Sequence, residues 1–241
     1  MLIEFFVFLC TIQYLMKNLL QILILIFSIN AFAQEKPNFE AIDSLYREDQ
    51  FYLGVFYNDL QNRPNGITQG RFTPSFSAGF LRDMPINKKR DIAIAIGLGY
   101  SINNYNHNLL SKIVNDKFEY SQIDKSVEKN KLILHYIDLP LEIRWRTSTP
   151  INLDFWRIYG GFKASYLVFN RTKFVDGNTS FIEEGNNDFN KLQFGTYLCV
   201  GNNTINFYVY KGLNTIYKNA LFNNNKLEIT TLNFGLMFYI L

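Results

Sequence analysis

An all-β fold is what the sequence predicts: eight antiparallel strands closed into a transmembrane β-barrel, behind a cleaved leader and a short helical segment. Three observations predict it. Apolar residues recur with period two along most of the chain after residue 50, the period of a strand. The stretches between these runs alternate long and short, as in barrels with long outer loops and short inner turns. The first 33 residues read as export information.

Composition agrees and excludes some functions. Aromatic residues make up 17 % of the 241, with 23 Phe and 15 Tyr, which suits a sheet ringed by aromatic girdles at two membrane interfaces. With 24 Lys plus Arg against 21 Asp plus Glu, the net charge is only +3. That gives no basic footprint for nucleic acid. Cys10 falls in the leader and leaves Cys199 alone in the mature chain, so neither an internal disulfide nor a CxxC metal site is expected.

In the leader, Met16-Lys17-Asn18 is a short basic start. Leu19 to Ile29 is apolar, and Ala31-Phe32-Ala33 forms an A-x-A cleavage site before Gln34. Cleavage after Ala33 is expected, and Gln at 34, where a lipoprotein needs Cys, argues against lipidation. Residues 1–15 are apolar and carry Glu4. The expected start is therefore Met16, with the upstream stretch a gene-model extension. The alternative is that residues 2–33 anchor the chain in a membrane. Residues 34–50 form a periplasmic N-terminal segment in which Phe39, Ile42, Leu45 and Tyr46 have helical spacing.

The barrel is expected over 51–241. The strand at 51–60 carries aromatics on both faces. At 72–81, Phe72, Phe76, Ala78 and Phe80 alternate with Thr73, Ser75, Ser77 and Gly79. From 91 to 103, Ile92, Ile94, Ile96, Leu98, Tyr100 and Ile102 share one face, and Ala93, Ala95, Gly97, Gly99, Ser101 and Asn103 the other. Ile137 to Trp145 alternate with Asp138, Pro140, Glu142, Arg144 and Arg146. Trp156, Ile158, Gly160 and Phe162 alternate with Arg157, Tyr159, Gly161 and Lys163. Runs at 192–200, 205–210 and 231–240 complete eight. Connectors 61–70, 104–131, 170–188 and 214–226 are long, and 83–90, 147–154 and 202–203 short.

The non-apolar face separates a membrane barrel from a soluble one. A soluble barrel turns large apolar groups inward. A membrane barrel turns them to lipid and fills a narrow bore with small or polar ones. Ala, Gly and Ser at 93–101 fit a confined interior. So do Asp138, Glu142, Arg144, Arg157 and Lys163, whose opposite signs can pair. These five are the candidate site. One reading is an ion path or ligand site; the reading taken is a structural network, because buried charges need partners.

No catalytic, cofactor-binding or metal-binding residues are assigned, no cofactor is expected, and the chain is read as not an enzyme. His135 precedes Asp138 by three positions, which puts them on opposite faces of a strand, and no GxSxG nucleophile motif is present. Gly97-Leu98-Gly99 lacks the third glycine of a dinucleotide loop. Lys88-Lys89-Arg90 is read as a solvated basic cluster in a turn.

Several segments resemble the PorT-like (PorT/SprT) outer-membrane barrels of Bacteroidota. They are Tyr136-Ile137-Asp138-Leu139-Pro140-Leu141-Glu142, Tyr159-Gly160-Gly161-Phe162-Lys163-Ala164-Ser165, Tyr210-Lys211-Gly212-Leu213-Asn214-Thr215-Ile216 and, for the closer PorT group, Arg82-Asp83-Met84-Pro85-Ile86-Asn87. The broad family more often has Glu where Asp138 stands. The resemblance implies an accessory role in type IX protein secretion, which in gliding bacteria also serves motility. It implies other outer-membrane or periplasmic secretion components and outer-membrane lipid as partners, with no nucleic acid and no small-molecule substrate. Rival expectations are a small barrel for adhesion or envelope stability and a barrel-embedded lipid enzyme.

Overall fold

The structure, a computed structural model, describes residues 48–70, 72–123, 127–147 and 156–240. The leader, its cleavage site and residues 34–47 lie outside the described residues. Strands run over β1 (Gln50–Gln61), β2 (Pro74–Pro85), β3 (Ile92–Asn106), β4 (Leu109–Val114), β5 (Lys117–Gln122), β6 (Lys129–Arg146), β7 (Trp156–Asp176), β8 (Thr179–Glu184), β9 (Leu192–Asn202), β10 (Ile205–Gly212), β11 (Leu221–Phe222), β12 (Asn225–Lys226) and β13 (Thr230–Ile240).

Eight of these close a barrel in the order β1-β2-β3-β6-β7-β9-β10-β13, every neighbour antiparallel. The β1–β13 pairing, from Phe51↔Ile240 to Gln61↔Thr230, joins the first wall strand to the last and leaves no sheet edge in the wall. The start of β1 and the end of β13 lie at one mouth, the terminal end, with the turns at 86–91 and 203–204 and the facing ends of β6 and β7. The long connections lie at the other, the loop end.

The orientation is that of a membrane barrel. Ile96 is 53 % exposed, Leu98 59 % and Phe207 73 %, while Ala93 and Ala95 on the opposite face of β3 are wholly buried. Outward rings gather at two levels: Phe51 against Phe80, with Trp145 and Trp156 exposed, near the terminal end, and Tyr57 against Phe72 and Phe234 near the loop end. On β1 the two aromatic faces separate cleanly, with Phe51, Leu53 and Val55 outside and Tyr52, Phe56 and Leu60 inside.

Three expectations need correction. β2 continues through Asp83 to Pro85, so 83–85 is wall and not turn. Residues 104–131 are no plain loop: β3 runs to Asn106, β4 and β5 form a hairpin, and β6 starts at Lys129. β7 runs on to Asp176 and is extended by β8, where 170–188 was expected to be loop.

Pro140 sits inward in the middle of β6. Lacking an N–H, it cannot complete the ladder. The β3–β6 pairing stops at Ile96↔Leu141 and resumes at Gly99↔Asp138 in the same register.

The interior is not uniformly small and polar. At the loop end, Leu60, Tyr105, Leu132, Leu134 and Leu167 from the wall meet Ile216, Tyr217, Phe222 and Ile229 from the loops in one buried apolar cluster. The loops thus cap the barrel with a hydrophobic plug.

Candidate functional site

Glycine lets the bore take large rings. The Tyr52 ring lies over Gly79 and Gly99, where any Cβ would collide with it. Tyr52, Tyr159, Tyr197, Tyr208, Tyr210 and Tyr239 are all buried in one cluster of the terminal half. Small residues on β2 and β3 therefore make room for a tyrosine that leans over them from β1, where Tyr52 is the direct partner of Gly79.

The five expected charges all point inward, but into two groups. In the middle, Asp138 accepts a hydrogen bond from Ser165 Oγ and, at 3.5 Å, from Lys163 Nζ. Lys163 Nζ also lies 4.6 Å from the centre of the Tyr210 ring. Nearer the terminal end, Glu142 receives Arg144 Nε at 2.7 Å and the Tyr197 hydroxyl at 2.8 Å. Arg144 stacks on Tyr159, 4.7 Å from its ring centre. Arg157 reaches Glu48 at 3.7 Å.

Three members of this second group were missing from the expected site: Glu48, Asp83 and Arg146. Asp83 is its hub. It accepts Arg144 Nη1 at 3.0 Å, Arg146 Nη1 at 2.9 Å and the Glu48 backbone N–H at 3.3 Å. Glu48 in turn faces Arg146 at 3.5 Å. Six charges, three of each sign, are thus buried together: Glu48, Asp83, Glu142, Arg144, Arg146 and Arg157. The signal for Asp83 was the alternation of β2, which Ser75, Ser77, Gly79 and Leu81 continue directly into it. Arg146 shares the face of Arg144. Nothing in the sequence near Glu48 marked it.

Little space remains. Two internal cavities, about 10 and 20 Å³, flank Lys163; each admits about one water. Ser77 Oγ beside the first, and Ser101 Oγ and Asn233 Oδ1 beside the second, are buried without a protein partner. A water in each cavity can satisfy them. Among the described residues the arrangement fills a narrow bore with rings and paired charges.

His135 lies on the outer wall, its Nδ1 2.7 Å from the Tyr100 hydroxyl and its ring edge-on to Phe169. Asp138 is inside. The two form no catalytic pair. Cys199 is a buried free thiol to which the Tyr239 hydroxyl donates at 3.6 Å.

A closed antiparallel wall, apolar outside and charged within, defines a small outer-membrane barrel with an occupied lumen. The chain belongs to the outer membrane protein beta-barrel domain family, whose model matches residues 32–218. Among curated proteins, no significant match is found.

Proposed function

We propose that this barrel is an accessory outer-membrane component of type IX protein secretion, acting through contacts at its surface and not by passing cargo. The observation that carries the second half is the filled bore: tyrosines, two charge groups and an apolar plug occupy it from one mouth to the other. A folded protein or an extended peptide has no route. The first half is supported by the segments around Asp138, Lys163, Lys211 and Asp83 that resemble PorT-like barrels. In this reading the terminal end faces the periplasm and the capped loop end faces outward, as in other such barrels, and the chain has no catalytic role.

The test is deletion of the gene followed by fractionation of cargo bearing the C-terminal sorting domain. The expected result is cargo held in the periplasm and restored by the intact chain. Full secretion without the protein would defeat the proposal.

A second reading is favoured by one observation. An open cleft of about 600 Å³ lies at the loop end, lined by Phe118, Tyr120, Asp188, Asn219 and Asn224 among others. Rings beside amides and a carboxylate suit adhesion to a polar surface ligand. Replacing Leu109–Gln122 by a short turn would then abolish surface binding while secretion continues.

A further inference from the structure

We propose that the outer wall of β6 and β7 carries a site for the phosphate groups of a phosphorylated glycolipid in the outer leaflet. The proposal rests on the membrane orientation given above. β6, with 18 residues, and β7, with 21, are the longest strands. They run on toward the loop end after their neighbours stop: β9 leaves β7 at Tyr166, and β3 leaves β6 at Lys131.

Side chains on the outer face follow in a definite order along this pair. Ile137 is opposite Tyr166, His135 opposite Phe169, Ile133 opposite Arg171, and Lys131 opposite Lys173, with Lys129 one step beyond. A bulge at His135/Tyr136 takes up the extra Val168, so that Leu167 stays inside while Phe169 points out. Apolar residues thus give way to an aromatic level and then, over three outward pairs, to four cations. Headgroup phosphates lie at this height above an aromatic girdle.

Among the described residues, one of the four cations is matched by a protein carboxylate and three are not. Arg171 pairs with Glu184 of β8 at 3.4 Å. Lys129, Lys131 and Lys173 make no ion pair among the described residues. Lys131 and Lys173 face each other directly across the two strands, an arrangement of like charges that opposes pairing unless an anion lies between them. A phosphate fixed to a lipid whose chains lie along Ile137, Leu139, Tyr166 and Val168 meets both requirements at once. Those four residues are exposed on the same wall. Basic clusters beside a membrane bind anionic headgroups by this combination of charge and position.

The experiment uses the full chain folded in detergent, with diphosphoryl lipid A as probe and native mass spectrometry to count retained lipid. Lys129→Gln, Lys131→Gln and Lys173→Gln together should lower retention at least tenfold. The same three changes at loop lysines Lys112, Lys117 and Lys218 should leave it within twofold. Lipid A stripped of phosphate should bind the wild type as poorly as the triple variant binds intact lipid A. Equal loss in both triple variants, equal retention of the stripped lipid, or displacement of lipid A by millimolar inorganic phosphate would overturn the site. Heat-modifiable migration on gels checks that each variant is folded. Orientation is read separately, by labelling Lys117→Cys in intact cells with an impermeant maleimide. No labelling there refutes the membrane orientation, whereas labelling with no lipid retention refutes the site alone.

Discussion

At the terminal mouth two guanidinium groups and a backbone N–H converge on Asp83. Arg144 and Arg146 are fully buried, so removing their shared anion leaves charge in a medium that cannot solvate it. Asp83→Asn is therefore expected to destabilise the folded barrel by about 3–5 kcal/mol, measured as a shift in urea unfolding in micelles by the fluorescence of Trp145 and Trp156. Asp138→Asn should cost less, because Lys163 keeps 15 % of its side chain exposed and can turn toward water. Gly99 gives a second test. Gly99→Val drives a branched side chain into the Tyr52 ring, and overpacking of this kind costs about 1–3 kcal/mol. The same change combined with Tyr52→Ala should recover part of that loss in the same assay. At the loop end, His107 is buried, and burial holds its imidazole down at about 4 although a hydrogen bond with the Leu109 backbone offsets part of the effect. The unfolded residue takes up a proton near 6.5, so between pH 6.5 and 4 the unfolded state binds more protons. Stability at this site rises with pH across that window and falls on acidification. NMR titration of the His107 ring should show it neutral at pH 5.5, and the protection of amides around Asn130, which donates to the His107 carbonyl, taken relative to the intrinsic exchange rate at each pH, should fall as pH drops below 6.

At the scale of elements, the alternation of bulky and small or polar residues carried the reading of the wall strands and their facing from β2 onward, whereas β1, aromatic on both faces, was counted as a strand without a facing. β3 is the clearest case: Ile92 through Ile102 outside, Ala93 through Asn103 inside. Reading failed where the physics of the bore changes. Near the loop end the interior is apolar, so Leu132, Ile133 and Leu134 form an uninterrupted apolar run and period two vanishes. The start of β6 was hidden for that reason, and the apolar cap with it. Asp83 was missed for another: a charged dipeptide before Pro85 imitates a turn, although the strand needed Asp83 inside. The charge site was legible as a set of inward residues on β6 and β7. Its partners, Glu48 ahead of β1 and Asp83 on β2, were not, because pairing across a barrel is set by closure and not by local pattern.

For the whole molecule, the packed bore makes a definite statement about transport. Planar-bilayer recordings of the full chain should show no steady open level, since Tyr52, Tyr208 and Tyr210 together with the apolar plug occupy the cross-section. A stable conductance from the wild type would contradict the packing described. The proposed accessory role therefore looks to surfaces: the loop-end cleft, the basic wall of β6 and β7, and the turns at the terminal mouth.

The way the six buried charges are gathered bears on how such a chain gets into its membrane. Glu48 precedes the first strand, Asp83 ends the second, and the three arginines and Glu142 come only with β6 and β7. A half-built sheet ending before β6 would expose carboxylates with no cations, and one lacking β1 and β2 would carry Arg144, Arg146 and Arg157 with only Glu142 to answer them. Either fragment would face a steep cost on meeting hydrocarbon. Neutrality arrives only when the early and late strands lie in one sheet, so the cluster selects against premature insertion and rewards simultaneous entry.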